Sequence, residues 1–238
     1  MKFILAAILC FTVCSSCDTA KQLLNNLPQN GGGLSTDDIV AGLKQALTVG
    51  TQNGTTKLSA VDGFFADAAI KVLMPPEAQK VESTLRGIGL GSVVDKAILS
   101  MNRAAEDAAK SATPIFVDAI KQMTISDALG ILKGGDFAAT NYFKQKTTLA
   151  LTNAFKPVIA QSLDKVNATK YWKDVFSAYN RFSSTPVNTD LAAYVTGKAV
   201  DGIFHEVGLE EQKIRKDPAA RVTDLLKKVF GSNAATGN

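Results

Sequence analysis

The spacing of the apolar residues limits this chain to helices, because it follows the period of an α-helix along almost the whole length. Val94, Ile98, Met101 and Ala105 recur three or four positions apart with polar and charged residues between them, which places them on one face of a helix. No segment shows the strict alternation of apolar and polar residues that is typical of a half-buried strand. The sequence therefore predicts an all-α fold, with one compact domain of about eight to ten helices.

Capping residues and prolines indicate the helix boundaries in the first half of the chain. Ser35 followed by Asp38 has the pattern of a capping box, which predicts the start of the first helix. Helical spacing continues over residues 57–73 and stops at Pro75, since proline cannot continue a helix. The clearest helix is expected over residues 91–112.

Similar signals divide the second half of the chain. Ser126 is expected to cap a short helix that begins with Asp127, and Asp136 is expected to cap a much longer one. Pro157 lies inside this long helix and removes a backbone donor there. We therefore expect a kink or a break near Phe155.

The first residues have the features of an export signal rather than of a folded segment. Lys2 is followed by an apolar run from Phe3 to Val13, which is shorter than the roughly 20 apolar residues that a helix needs to cross a bilayer. Small residues then precede Cys17, as they do at the cysteine that is lipidated in bacterial lipoproteins. Residues 1–17 are expected to be a lipoprotein signal peptide that ends at a lipidated Cys17. An ordinary signal peptide cut nearby is the alternative.

A lipidated Cys17 places the protein in the bacterial cell envelope. It would be a membrane-anchored lipoprotein on the periplasmic side or at the outer membrane. Residues 18–34 are rich in Asn, Gln and Gly, which predicts a flexible tether. The all-helical domain is then expected to span residues 35–231, followed by a disordered tail at 232–238.

Cysteine and histidine usage limits the chemistry of the helical domain. Cys10 and Cys14 lie in the expected signal peptide, and Cys17 would carry the lipid. No thiol then remains for a disulfide, a zinc site or a nucleophile. Because His205 is the only histidine, the sequence also predicts no metal site and no cofactor.

The charge of the chain argues against binding to nucleic acid. The sequence has 26 Lys and Arg residues against 22 Asp and Glu residues, a net charge of +4. The positive residues are dispersed, whereas nucleic-acid binders cluster them to displace counterions from phosphates. The expected partners are the membrane, through the lipid anchor, and an unknown protein or apolar ligand.

Two sets of side chains are candidates for chemistry or binding. His205 lies one helical turn after Asp201, an arrangement that suits a general base and its orienting carboxylate. A surface ion pair is the alternative. Aromatic residues that include Tyr142 and Trp172 could line an apolar pocket, or could simply belong to the core.

Four motifs occur in an order that resembles one bacterial family. They read MNRAAE at 101–106, ISDALGILKG at 125–134, AATNYF at 138–143 and EQKIRKDP at 211–218. In this order they resemble the domain of unknown function 4197 family (DUF4197), and the resemblance extends over about residues 34–230. It implies an exported helical protein without an assigned activity, and it carries over no catalytic residues.

The motif residues allow a structural and a functional interpretation. Asn102, Arg103 and Glu106 lie within about one helical turn and could brace a neighbouring segment, while Arg103 could also pair with Asp107 four residues later. The other motif positions stand where caps and turn-stabilising hydrogen bonds belong: Ser126, Asp127 and Thr140. We favour the structural interpretation.

These observations support three hypotheses of function. The leading one is a non-catalytic binding or scaffold module held at a membrane surface by the lipid on Cys17. The alternative is a carrier of an apolar small molecule or lipid, bound between helices near Trp172 and Tyr142. An enzyme that uses Arg103, Glu106 or His205 is less favoured, because no nucleophile motif accompanies these residues.

Overall fold

The protein is built from α-helices, and no strand occurs within the residues that the computed structural model describes, which are 35–181, 186 and 189–231. This confirms the all-α fold predicted from the apolar spacing. The helices are α1 Thr36–Ser59, α2 Gln79–Gly87, α3 Gly91–Ala109, α4 Ala112–Lys121, α5 Ile125–Lys133, α6 Ala138–Lys165, α7 Ala168–Asn180, α8 Leu191–Lys216 and α9 Asp224–Phe230. The expected signal peptide with Cys17, the tether at 18–34 and the tail at 232–238 lie outside the described residues.

The long helices α6 and α8 pack against each other and against several of the shorter helices. α6 also contacts α3 and α4, whereas α1 packs on α4, α8 and α9. α8 lies in the core of the domain because one of its faces is apolar. The apolar side chains of this face are almost completely buried: Leu191, Val195, Ala199, Ile203 and Val207. Burial of one large apolar side chain contributes about 1.5–3 kcal/mol. In the described part of the chain, no helix combines the length and hydropathy that crossing a membrane requires.

Small residues let neighbouring helices approach closely. α3 turns Ala104, Ala105 and Ala108 inward, and all three are fully buried. On α1, a Cβ added at Gly42 would stand 2.6 Å from Cγ2 of Val229 on α9. Among the described helices, the first and the last are therefore in direct contact.

α1 begins where the sequence predicted, at a capping box formed by Ser35 and Asp38. The backbone N–H of Asp38 donates to the hydroxyl oxygen of Ser35 at 3.1 Å, and the N–H of Ser35 donates back to the Asp38 carboxylate at 3.1 Å. The Ser35 hydroxyl also donates to the Asp38 carboxylate at 2.7 Å, and this hydrogen bond, with the one from the Ser35 N–H, lowers the pKa of Asp38 below its ordinary value. The capping box satisfies backbone donors that the first helical turn leaves free.

Residues 60–75 form an irregular loop, so the helical interpretation of most of the 57–73 segment was wrong. Asp62 has a left-handed φ of 68°, and a Cβ at Gly63 would stand 2.4 Å from a carbonyl oxygen at the end of α1. Phe64 and Val72 nevertheless bury their side chains completely. Their burial explains the apolar spacing without requiring a helix.

The caps of α5 and α6 differ from those predicted. Thr124, and not Ser126, caps α5: its hydroxyl accepts from the N–H of Asp127 at 3.1 Å, and the Asp127 carboxylate accepts from the N–H of Thr124 at 3.0 Å. Ser126 lies exposed within the first turn. Asp136 does not cap α6 and instead forms a salt bridge with Lys216.

Pro157 lies inside α6 without breaking it, so a break near Phe155 was wrong. Proline leaves the carbonyl group four residues earlier without a helical partner, and this carbonyl belongs to Asn153. Both Asn153 and Pro157 are exposed, whereas Phe155 and Ile159 are fully buried. The helix therefore keeps its packed face intact and turns the disrupted hydrogen bond towards solvent.

Candidate functional site

Asn102 links α3 to the 60–75 loop. Its side chain is fully buried, and its Oδ1 accepts from the N–H of Val72 at 2.9 Å. Its Nδ2 donates to the carbonyl oxygen of Val72 at 2.8 Å and to that of Ile98, one turn earlier on α3, at 2.8 Å. A loop residue without a helical or strand partner thus has both of its backbone groups satisfied.

Glu106 holds the beginning of the same loop. One carboxylate oxygen accepts from the backbone N–H groups of Phe64 and Phe65, at 3.1 and 3.2 Å. The other oxygen accepts from Arg103 at 2.7 Å, and Arg103 reaches Asp62 at 2.7 Å with its second terminal nitrogen. The buried carboxylate is therefore paired and hydrogen-bonded, as burial of a charge requires.

The expected pairing of Arg103 with Asp107 was wrong. Asp107 instead accepts from Lys110 at 2.8 Å and from the hydroxyl of Ser162 at 3.1 Å. The hydrogen bond from Lys110, with a further one from Ser162, lowers the pKa of Asp107. Arg103 turns towards the loop because Glu106 and Asp62 offer it two carboxylates there, and these raise its pKa above the ordinary value.

Thr140 belongs to a second cluster, which sequence reasoning did not assemble. The carboxylate of Glu211, on α8, accepts from the backbone N–H groups of Ala139 and Thr140 at 2.9 Å each, and from the Thr140 hydroxyl at 2.8 Å. Arg215 pairs with Glu211 and also donates to the carbonyl oxygen of Ile131 at 2.7 Å, near the end of α5. Glu211 therefore caps the start of α6 from a distant helix, where no local side chain does so.

His205 lies on the exposed face of α8. Neither a hydrogen bond nor a salt bridge joins it to Asp201, Arg103 or Glu106 in the part of the chain that the structure describes. Over the same residues, no group of three or more metal-ligating side chains converges. Arg103 and Glu106 are paired with each other at 2.7 Å, but no hydrogen bond or salt bridge in the described residues joins this pair to His205, the third residue of the enzyme hypothesis.

An apolar groove of about 510 Å³ lies between α2, α3 and α7. Its lining includes Val81, Leu85, Val93, Met101, Trp172 and Phe176. Trp172 packs on Phe176 with ring centroids 4.4 Å apart. Apart from the indole of Trp172, the polar side chains among its described lining residues are Lys96 and Ser100. We call this feature the apolar groove.

Tyr142 lies elsewhere, in a depression of about 300 Å³ beside α4. Its hydroxyl donates to the carbonyl oxygen of Ala119 at 3.3 Å. Trp172 and Tyr142, which the carrier hypothesis placed near one ligand, therefore line separate features. Only Trp172 belongs to the apolar groove.

A charged cleft of about 450 Å³ adjoins the apolar groove. Its polar lining contains Arg103, Glu106, Asp107, Lys110 and Lys165. Three other residues, Leu99, Ser100 and Val166, line the cleft and the groove alike. The two features are thus adjacent, and these three residues form their shared border, which we call the junction.

Comparison with known proteins identifies a family to which the chain is similar. The model of a family described as "Protein of unknown function (DUF4197)" matches residues 33–231. This confirms the resemblance that the four motifs indicated and covers the whole helical domain. No curated protein and no solved structure matches the chain.

Proposed function

Because the chain belongs to the DUF4197 family of proteins of unknown function, we propose a function from its own geometry: it is a non-catalytic binding module that takes up an apolar small molecule or lipid in the apolar groove. The observation that carries this proposal is the lining of the groove. Val81, Leu85 and Met101 face a space of about 510 Å³, within the range of roughly 300–1,000 Å³ that is usual for small-molecule sites.

Exposed apolar surface at the mouth of the groove supports the same proposal. Val93 lines the groove and is 55% exposed. Val166, at the junction, is 53% exposed. Soluble domains rarely leave contiguous apolar patches uncovered unless something binds there. An apolar ligand in the groove would shield both side chains from water.

The motif residues support a non-catalytic role. The side chains of Asn102 and Glu106 form hydrogen bonds with the backbone of the 60–75 loop. Arg103 is paired with two carboxylates. Side chains committed to such contacts position a loop and do not present a free acid, base or nucleophile. We therefore assign these residues to the architecture that supports the groove.

The proposal is tested by native mass spectrometry of the full chain, purified gently from its own envelope. We expect a bound small molecule on the wild type and its loss in Ala97→Phe, because the larger side chain would fill the groove that Ala97 lines. Ala150→Phe is the matched control, since Ala150 lines the Tyr142 depression instead. An empty wild type, or ligand retained by Ala97→Phe, would contradict the proposal.

We further propose that Cys17 anchors the module to the bacterial cell envelope, with residues 18–34 as its tether. The sequence pattern before Cys17 supports this. Labelled palmitate should be incorporated into the wild type and into Cys14→Ser, and should be absent from Cys17→Ser. Label that persists without Cys17 would refute the anchor.

A scaffold that binds a protein partner is the second candidate. It is favoured by Ile88 and Leu90, which are 67% and 44% exposed at the turn between α2 and α3. Substituting both by Ser should release a co-purifying protein and leave any small molecule bound. Loss of the small molecule without loss of a protein would favour the carrier.

A further inference from the structure

We infer that the ligand of the apolar groove is an amphiphile with an anionic head group, whose hydrocarbon part lies in the groove and whose head lies at the junction with the charged cleft, beside Lys165. This inference rests on the proposed function and specifies its ligand class. It follows from the adjacency of the two features and from the distribution of charge around the junction.

Because the two features are adjacent, one molecule that crosses the junction can occupy both. Leu99, Ser100 and Val166 line the groove on one side and the cleft on the other. A hydrocarbon chain in the groove would remove apolar surface from water, which is favourable. A polar head attached to that chain would reach the cleft without being buried, so its hydration would be largely kept.

The charges of the cleft are largely paired among themselves. Arg103 is bound by Glu106 and Asp62, and Lys110 is bound by Asp107 at 2.8 Å. Lys165 also lines the cleft, but it makes no ion pair within the described residues. Lys165 acts electrostatically on Asp107 without pairing with it. The side chains that line the cleft carry three positive charges (Arg103, Lys110, Lys165) and two negative ones (Glu106, Asp107), a difference of 3 − 2 = +1.

A second cation stands on the groove side of the junction. Lys96 lines the apolar groove and lies one helical turn before Ser100 on α3, and residues four apart on a helix are neighbours. Lys96, too, has no carboxylate partner in the described part of the chain. Lys96 and Lys165 thus place positive charge on both sides of the junction, which favours an anionic head and disfavours a cationic one.

The test uses Trp172, which lines the groove and is the one tryptophan in the sequence. A bromine atom quenches tryptophan fluorescence on contact. A brominated hydrocarbon chain that enters the groove should therefore lower the fluorescence of Trp172. The probes are ω-bromododecanoate, ω-bromododecanol and ω-bromododecyl trimethylammonium, added below the concentrations at which they form micelles. The protein is the full chain carrying Cys17→Ser, purified without detergent.

We expect saturable quenching, with the carboxylate bound about fivefold more tightly than the alcohol and the trimethylammonium probe bound least. A factor of five corresponds to about 1 kcal/mol, the upper range for an exposed ion pair. Lys165→Glu should abolish the preference for the carboxylate while leaving alcohol binding unchanged. Lys198→Glu is the matched control, because Lys198 is an exposed lysine on α8 that lines neither feature.

The possible failures are distinguishable. If none of the three probes quenches Trp172, the proposed function fails together with this inference. If all three bind equally, or if Lys165→Glu and Lys198→Glu act alike, the groove binds apolar chains but the head-group assignment is overturned. Lys165→Ala removes the positive charge without adding a negative one, so it should reduce the preference for the carboxylate less than Lys165→Glu does, and an unchanged preference in Lys165→Ala would overturn the role of Lys165.

Discussion

The side-chain amide of Asn102 exchanges two hydrogen bonds with the backbone of Val72, in the manner of a neighbouring β-strand. A fully buried side chain of a helix thus takes the place of a strand partner for a loop that has none. The relationship explains how residues 60–75 can lie irregularly against the core while Val72 remains completely buried. It also makes the stability of the domain depend on one amide group.

Asn102→Leu should destabilise the domain by about 2–4 kcal/mol, because it leaves the buried N–H and carbonyl groups of Val72 without partners, at about 1–3 kcal/mol each. Urea unfolding followed by circular dichroism measures the loss. Asn141→Leu is the control, since Asn141 is exposed on α6 and its side chain makes no hydrogen bond in the described residues. Equal losses in both variants would contradict the role assigned to Asn102.

Glu211→Gln should cost about 2–4 kcal/mol, because the amide nitrogen that replaces one carboxylate oxygen cannot accept from the backbone N–H group bound there at the start of α6, and the largely buried Arg215 loses its charge partner. Glu210→Gln is a matched control one residue away. Glu210 pairs with Lys213, whose side chain is 62% exposed, so we expect a loss of only about 1 kcal/mol or less. A larger loss for Glu210→Gln than for Glu211→Gln would contradict this account.

Two glycines of α8 should respond to alanine in opposite directions. A Cβ at Gly202 would stand 2.4 Å from a ring carbon of the fully buried Phe64, so Gly202→Ala should destabilise the domain by about 1–3 kcal/mol. Gly197 has nothing within 4 Å of such a Cβ, and Gly197→Ala should stabilise it by about 0.5–1 kcal/mol. Thermal unfolding of both variants tests the signs, and a shared sign would contradict the packing described here.

The pKa of Asp127 should depend on Thr124. Hydrogen bonds from the Thr124 hydroxyl and then from its backbone N–H lower the pKa of Asp127. Because this pKa lies below that of the unfolded chain, the stabilisation is complete above about pH 3.9, the ordinary value for Asp, and is lost as the pH falls through the folded-state pKa. Thr124→Val should raise the midpoint in a carboxyl carbon NMR titration. An unchanged midpoint would exclude the hydroxyl as the main cause.

Features with local causes were predictable from the sequence. The all-α class followed from the apolar period, the start of α1 from the Ser35 and Asp38 pattern, and the buried stripe of α3 from the spacing of Val94, Ile98 and Met101. In each case the residues that form the feature lie within a few helical turns of one another, so their spacing in the sequence is enough to predict the feature.

Features with distant partners were not predictable in this way. The sequence offers Arg103 a local partner, Asp107, but in the structure Arg103 pairs with the loop residue Asp62, which lies 41 positions away. Glu211 caps a helix whose first residues lie 71 and 72 positions earlier. The EQKIRKDP motif contained both Glu211 and Arg215, but without the fold it could not show which helix end they serve. The apolar groove likewise combines segments that are far apart in sequence, namely α2, α3 and α7.

The contact between Gly42 of α1 and Val229 of α9 also has a consequence for the order of events during synthesis. Among the helices that the structure describes, α1 is the first to be made, and α9, which covers this part of α1, is the last. The growing chain therefore carries an incomplete core until α9 has emerged, and the domain closes only after nearly all of its residues are available. A chain interrupted before Leu226 would lack the helix that covers Gly42, which makes it a natural substrate for chaperones and proteases.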